Sequence, residues 1–519
     1  MPKRRIVVLG WAWLPFQHME GTGYNLVASE LCAALAKHGH EITYLRSGHT
    51  YSLRRGMRIE RGEVWRGVPC HDLINAPIVA PAHFGFRSPA VQSSHAEHTA
   101  MVVAFVKRAN AEIVHIHSLE GFSLEIVAAL RAAGLAVVVT PHNYYALCPQ
   151  VDLMCRERET CLDYEGGRRC DGCIDRAPAA EEISRRRSRH SVDRTLGPKF
   201  GMTMKTAMLR IAARAGLRSA PGEPSPNAPT YEPPAMPISD PATTDRLIAN
   251  RDVHLACVNE YGQRRAAGVA ALNAASLVLC PSRVLLDIHA SMGVETDRLR
   301  HVPLGLPHID AMRSAATASA FADRVPWNAS EASRPLRMAY YGSTKPNKGL
   351  ATLVRAITSL PASVLSRCHF DLFAPGDAAE VSAMRAKIES HTSAQVRWFG
   401  AYEPRDLAAS VGTYEVGLLP NMGLENSPLV LLEYLAAGAW VIASDLGASR
   451  EWVRPGHNGT LFPAGDCAAL ASAIAAIVEG RVALPPVRNV HASVPFVSTA
   501  AYVADVEARH EEVLAGVPA

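Results

Sequence analysis

Residues 6–45 read IVVLGWAWLPFQHMEGTGYNLVASELCAALAKHGHEITYL. Ile6 to Gly10 is a short run without a polar side chain, as expected of a strand buried on both faces of a parallel sheet. A loop holding Gly21-Thr22-Gly23 follows, then a helical pattern from Tyr24 to His38 that Gly39 ends. Glu41 to Leu45 is the next strand. Strand, glycine loop, helix and strand form a βαβ unit. The loop lacks the full G-x-G-x-x-G spacing, so it is either a close backbone approach to a diphosphate or a plain turn.

The same alternation continues outward. Ile113 to His117 is a strand, Leu124 to Ala133 a helix, Val137 to Thr140 a strand, and Val278 to Cys280 another. After a polar linker at 315–334 a second series begins. Its strands are Met338–Tyr341, Phe370–Phe373, Val396–Phe399, Val416–Leu419 and Trp440–Ala443. Alternating β and α elements predict two doubly wound parallel-sheet domains, 1–314 and 335–490. A last helix in 491–519 is expected to pack back on the first domain. Ligands of such sheets lie beyond the carboxyl ends of the strands. Pro141-His142-Asn143 sits at one such end, so His142 is a candidate site residue as well as a candidate structural histidine.

The stretch Leu424–Gly438, LENSPLVLLEYLAAG, carries the densest chemistry. Glu425 and Glu433 are separated by seven residues. Ser427 suits an N-cap, Pro428 the first helical position, and Gly438 the stop after a helix from Leu429 to Ala437. A helix start offers free N–H groups and a positive dipole end, which suit a phosphate. Glu433 falls among Leu431, Leu432, Leu435 and Ala436, where an unpaired carboxylate is costly. A pair of sugar hydroxyls would remove that cost. The competing reading is a capped core helix with one glutamate in water.

Bulk composition narrows the class. The chain has 519 residues, 48% of them apolar, and a net charge of +4, too small to argue for nucleic acid. No apolar run reaches the length of a bilayer span. The opening MPKRRIVVLGWAW lacks a small-residue cleavage site and reads as a first strand, which predicts a cytoplasmic location. The 11 cysteines are then expected as thiols or metal ligands. Cys148, Cys155, Cys161, Cys170 and Cys173 share one loop, 148–173. Cys155, Cys161, Cys170 and Cys173 either hold a structural zinc ion or are reduced loop thiols. Residues 177–250 read as an insertion, proline-rich from Gly222 to Thr243. Before that, 194–218 carries six basic residues and no acidic one. It is either a basic helix on an anionic membrane surface, making the protein peripheral at the inner face, or a solvated helix.

Taken together, these motifs resemble the retaining glycosyltransferases of family 4, which have the GT-B fold of two Rossmann-like domains facing a central cleft. Glu425 and Glu433 match the family's E-x7-E motif. ENSPLVLLEYLAAGAWVIASDLGASREWVRPGHNGTLFPAGD is similar to it at nearly every step. NKGLATLVRAI resembles the segment that opens the second domain, and GTGYNLVASELCAALAKHGHEITYL the glycine loop and first helix. PHNYYALCP with its cysteines resembles a subgroup linked to bacterial polysaccharide assembly.

The resemblance implies roles. Glu425 contacts the transferred sugar near its reacting carbon, and Glu433 holds the ribose. The N–H groups of Leu429 and Val430 bind the diphosphate, and Lys348 neutralises the leaving phosphate. Gly21 and Gly23 let the first domain close on the donor, and His142 faces the sugar. Many members place an arginine after the glycine that ends the second domain's first strand; here it is Ser343, with Lys345 nearby to compensate. No Asp-x-Asp motif appears in a suitable loop, so no catalytic metal is expected. The expected substrates are a UDP- or GDP-sugar and a glycan or lipid-linked glycan acceptor. The alternatives are a sugar-nucleotide epimerase or phosphorylase on the same fold, or a non-catalytic scaffold in a polysaccharide assembly complex.

Overall fold

The computed structural model describes residues 2–15, 23–174, 177–178, 180–196, 232–318, 325–330, 334–391, 395–402 and 412–516. The first sheet is built from β1 (Arg5–Gly10), β2 (Glu41–Thr50), β3 (Arg58–Trp65), β4 (Val68–Ile74), β5 (Ile113–Ile116) and β6 (Ala136–Val139). A short hairpin, β7 (Met154–Cys155) and β8 (Glu159–Thr160), intervenes before β9 (Leu277–Cys280) and β10 (Leu299–His301) complete that sheet. Among the described residues its order is β10-β9-β6-β5-β1-β2-β4-β3. All pairs are parallel except the β3–β4 edge. The second sheet holds β11 (Leu336–Tyr341), β12 (Cys368–Phe373), β13 (Gln395–Phe399), β14 (Val416–Leu419), β15 (Trp440–Ser444) and β16 (Gly459–Phe462). Its order, β13-β12-β11-β14-β15-β16, is parallel throughout. Both are doubly wound sheets whose strand order reverses beside the first strand, β1–β5 in one and β11–β14 in the other.

The apolar run of β1 explains its central place. Ile6 and Val8 point into one core with Val27, Leu31 and Leu35 of the helix Gly23–Lys37. Val7 and Leu9 point into another with Val102, Val106 and Leu130. Period-two alternation thus feeds two cores, one on each face of the sheet. The helix Thr499–Ala515 covers the first of these faces. Its Tyr502, Val503, Val506 and Val513 are buried in the core that holds Ile6 and Leu31. Arg4 binds Glu511 at 2.5 Å, and Glu507 receives His38 and His40 at 2.9 and 3.0 Å.

The two domains are clasped at several points. Glu451 of the second accepts the N–H groups of Arg283 and Val284, at 3.1 and 2.6 Å, at the start of the helix Arg283–Ser291 of the first. Arg450 binds Asp245 at 2.7 Å. Leu153 and Met154 of the cysteine loop share a core with Met422 and Leu424, which lead into Glu425. No described helix is long and apolar enough to cross a membrane.

Candidate active site

Glu425 and Lys348 reach each other through backbone geometry at the carboxyl ends of β11 and β14. Lys348 closes the short 3₁₀ turn Pro346–Lys348, and Gly349 after it has φ 69°. The Asn347 carbonyl accepts the Met422 N–H at 2.8 Å, tying the loop after β14 to this turn. Glu425 is held from behind by Ala448, whose N–H reaches its carbonyl at 2.9 Å. Lys348 Nζ then lies 2.5 Å from Glu425 Oε1. Burial works against the lysine's charge, but the carboxylates of Glu425 and Asp152 outweigh it and hold Lys348 above its ordinary pKa. Asp152, from the first domain, is pushed up to about 6 by burial, against the pull of Lys345 and Lys348.

The helix read over Leu429–Ala437 starts at Leu429 and runs to Ala436. Ser427 is not its cap. Pro428 occupies that position with extended backbone, and no side chain caps the helix. Asn426 Oδ1 takes the Ser427 N–H at 3.0 Å and holds Ser427 outside. The amino end at Leu429 and Val430 is therefore left without a side-chain acceptor. Gly23 opens the facing helix of the first domain. A Cβ on Gly23 would lie 3.5 Å from Leu429 Cδ1, so two helix amino ends meet at contact distance across the cleft. Both dipoles favour an anion there. Gly21 lies outside the described residues.

Glu433 is 4% exposed. Its Oε1 is 3.0 Å from His308 Nε2, while its Oε2 is buried with no partner. A buried carboxylate oxygen without a donor is expensive, and marks where a ligand hydroxyl would fit. Glu433 lines a small pocket whose other walls include Met312, Tyr341, Tyr414 and Tyr434. A second hollow, by Glu415 and Trp440 at the amino ends of β14 and β15, shares Tyr414 and Ala437 with it.

From the first domain, His142 stands beside the Tyr24 ring at 5.9 Å and bonds His117 at 3.0 Å. Burial lowers its pKa to about 3, so it is neutral. Glu120 nearby accepts the Ala82 N–H and Asn143 Nδ2, both at 2.7 Å. Its pKa is raised by burial. Ser343 places no cation at the end of β11; its carbonyl accepts the Tyr340 hydroxyl at 3.0 Å. Lys345 is exposed, and its charge is felt by His83, Glu120 and Asp152 across the cleft. Sequence reasoning missed His308, His117, Glu120 and Asp152. The alternation of His115 and His117 in an otherwise apolar strand was the one available signal.

None of the 11 cysteines is in a disulfide, and among the described residues no group of three or more His, Cys, Asp or Glu side chains is placed to hold a metal. Of the basic stretch 194–218, only 194–196 are among the described residues. Arg194 there binds Glu60 at 2.8 Å.

Comparison with known proteins agrees with this fold. Residues 335–480 match the family model described as glycosyl transferases group 1, and residues 22–199 that of the glycosyl transferase 4-like domain. A phosphatidyl-myo-inositol mannosyltransferase of Mycobacterium leprae is 33% identical over 142 residues, 27% of this chain and 36% of that protein. Its Mycobacterium tuberculosis counterpart is 30% identical over the same length and the same shares. The matched stretch thus spans about a third of these relatives. Among solved structures, sucrose-phosphate synthase from Thermosynechococcus elongatus superimposes with TM-score 0.59 at 16% identity, covering 99% of this chain and 100% of that one. Anabaena Alr3699/HepE in complex with UDP-glucose does so with TM-score 0.54 at 12% identity, covering 98% and 100%. With both domains matched in chain order on this frame, the chain belongs to the family 4-type glycosyltransferases of GT-B fold.

Proposed function

We propose that the protein is a retaining glycosyltransferase that moves a hexose-type sugar from a UDP- or GDP-sugar to a glycan or lipid-linked glycan acceptor in cell-surface polysaccharide biosynthesis. The observation that carries this reading is the orphaned Oε2 of Glu433 beside an uncapped helix start. One supplies an acceptor for ribose hydroxyls, the other N–H donors for a diphosphate. Lys348 sits where charge develops on the departing phosphate, and stabilises it without a metal ion. Glu425 faces the reacting sugar, with His142 opposite. Cleft closure through Gly23 and Leu429 orients the reactants and excludes water. The relatives named for a mannosyl donor and a phosphatidylinositol acceptor support a hexose and a lipid-linked acceptor. The neighbour bound to UDP-glucose supports a nucleotide-sugar donor.

A thermal-shift screen across UDP- and GDP-sugars tests the proposal, followed by turnover of the stabilising donor. Turnover should survive EDTA and vanish in Glu425→Ala. Neither stabilisation nor turnover across a broad panel would overturn it.

A further inference from the structure

We propose that His117 fixes His142 in the tautomer that carries its proton on Nδ1, so that the first domain presents a neutral hydrogen-bond donor to the sugar side of the cleft. This rests on the reading of that cleft as a sugar-nucleotide site. His117 Nδ1 and His142 Nε2 are 3.0 Å apart, and the two rings lie 16° from parallel with centroids 5.2 Å apart. That separation fits two nearly coplanar rings meeting nitrogen to nitrogen, so a single proton lies between them. Burial keeps both rings uncharged, and for His117 the neighbouring His142 and His510 add to it. The proton therefore belongs to one ring or the other.

The far nitrogen of His117 decides which. His117 is 1% exposed, and its Nε2 is buried without a partner. His115, stacked on it at 4.4 Å, offers nothing. Both its ring nitrogens are used, by Thr140 Oγ1 at 2.8 Å and by His510 Nε2 at 3.2 Å. Suppose His142 donated to His117. Neutral His117 would then carry its own proton on Nε2, leaving a buried N–H unpaired, which folded proteins seldom tolerate. With His117 as the donor, its Nε2 is a bare lone pair, the less costly orphan. His142 then accepts at Nε2 and must carry its proton at Nδ1. That Nδ1 makes no hydrogen bond among the described residues. Its ring stands beside Tyr24, next to the Gly23 that meets Leu429. A sugar hydroxyl or donor phosphate oxygen is the acceptor it suits. His117 is thus a positioning residue, acting through His142.

Histidine ¹⁵N labelling of the full chain tests this without any substrate. Long-range ¹H–¹⁵N correlation should show His142, assigned by its loss in His142→Gln, protonated at Nδ1. A proton on Nε2 would overturn the proposal. His117→Asn keeps an amide donor near the original Nδ1 position, whereas His117→Phe has none. With the donor that stabilises the wild type, His117→Phe should lose about tenfold in kcat with KM little changed, and His117→Asn should restore most of it. Equal losses in the two variants, following a common fall in Tm, would mark His117 as structural only and overturn the proposal. If no sugar nucleotide binds the wild type, the functional reading falls, while the nitrogen shifts still decide the tautomer.

Discussion

Lys348 and Glu425 neutralise each other at 2.5 Å. A diphosphate would compete for the lysine, freeing the carboxylate for the sugar. Lys348→Ala removes the cation that faces the leaving group, and kcat should fall by about a hundredfold or more. Tm should barely move, because the lysine side chain is 32% exposed and such pairs add little to stability. Steady-state kinetics and a melting curve check both halves. Buried histidines make a second, pH-dependent prediction. His98, His289 and His510 are each lowered to about 4, chiefly by burial. Unfolded, they titrate near ~6.5. Below that pH the unfolded chain binds protons that the folded one refuses, so stability is full above it and drains as pH falls towards about 4. Each contributes up to about 1.4 kcal/mol per pH unit. Urea unfolding at pH 7 and at pH 5 should differ by several kcal/mol, and equal midpoints would refute it. At this scale the acids and Lys348 were legible because their chemistry is local, a spacing set against one helix start. The partner of Glu433, His308, lies 125 positions away, and only the folded chain brings them together.

Two glycines set the elements around the site. Gly349 must take φ 69°, and a Cβ there would fall 1.7 Å from the Pro420 carbonyl oxygen. The turn carrying Lys348 and the loop after β14 therefore touch backbone to backbone. Gly349→Ala should cost more than the roughly 1 kcal/mol of a positive-φ glycine alone, because the loop must shift as well. It should also lower donor turnover by displacing Lys348; chemical denaturation and kinetics together test this. Gly438, at φ 77°, ends the helix Leu429–Ala436 and leaves a Cβ only 2.4 Å from Val487 Cγ1. That stop was legible, since a glycine after an apolar helical run has few other uses. The cap at the other end was not. Serine before proline satisfies the ordinary rule, yet Asn426 takes the Ser427 N–H and the helix start is left open. The paired doubly wound sheets were also legible, because a strand buried on both faces betrays itself by its unbroken apolar run. The hairpin β7–β8 was not, being two residues per strand with no such run.

Across the whole molecule, the described parts of the two domains are held by polar clasps and by two apolar cores that each draw residues from both. Glu451 seats the helix Arg283–Ser291 from the other domain, so Glu451→Ala removes acceptors from two N–H groups. It should cost about 1 kcal/mol, as loss of a helix cap does. It should also widen the cleft, seen as a larger radius of gyration in solution scattering without donor; an unchanged radius would refute that. The helix Thr499–Ala515 has a consequence for biosynthesis. It seals the face of β1 and the helix Gly23–Lys37, yet the ribosome makes it after both sheets. The amino-terminal half must therefore wait through translation of the rest with Val27 and Leu31 unsheltered. Nascent-chain folding should be finished only when this distant segment emerges, and chaperones have that interval in which to act.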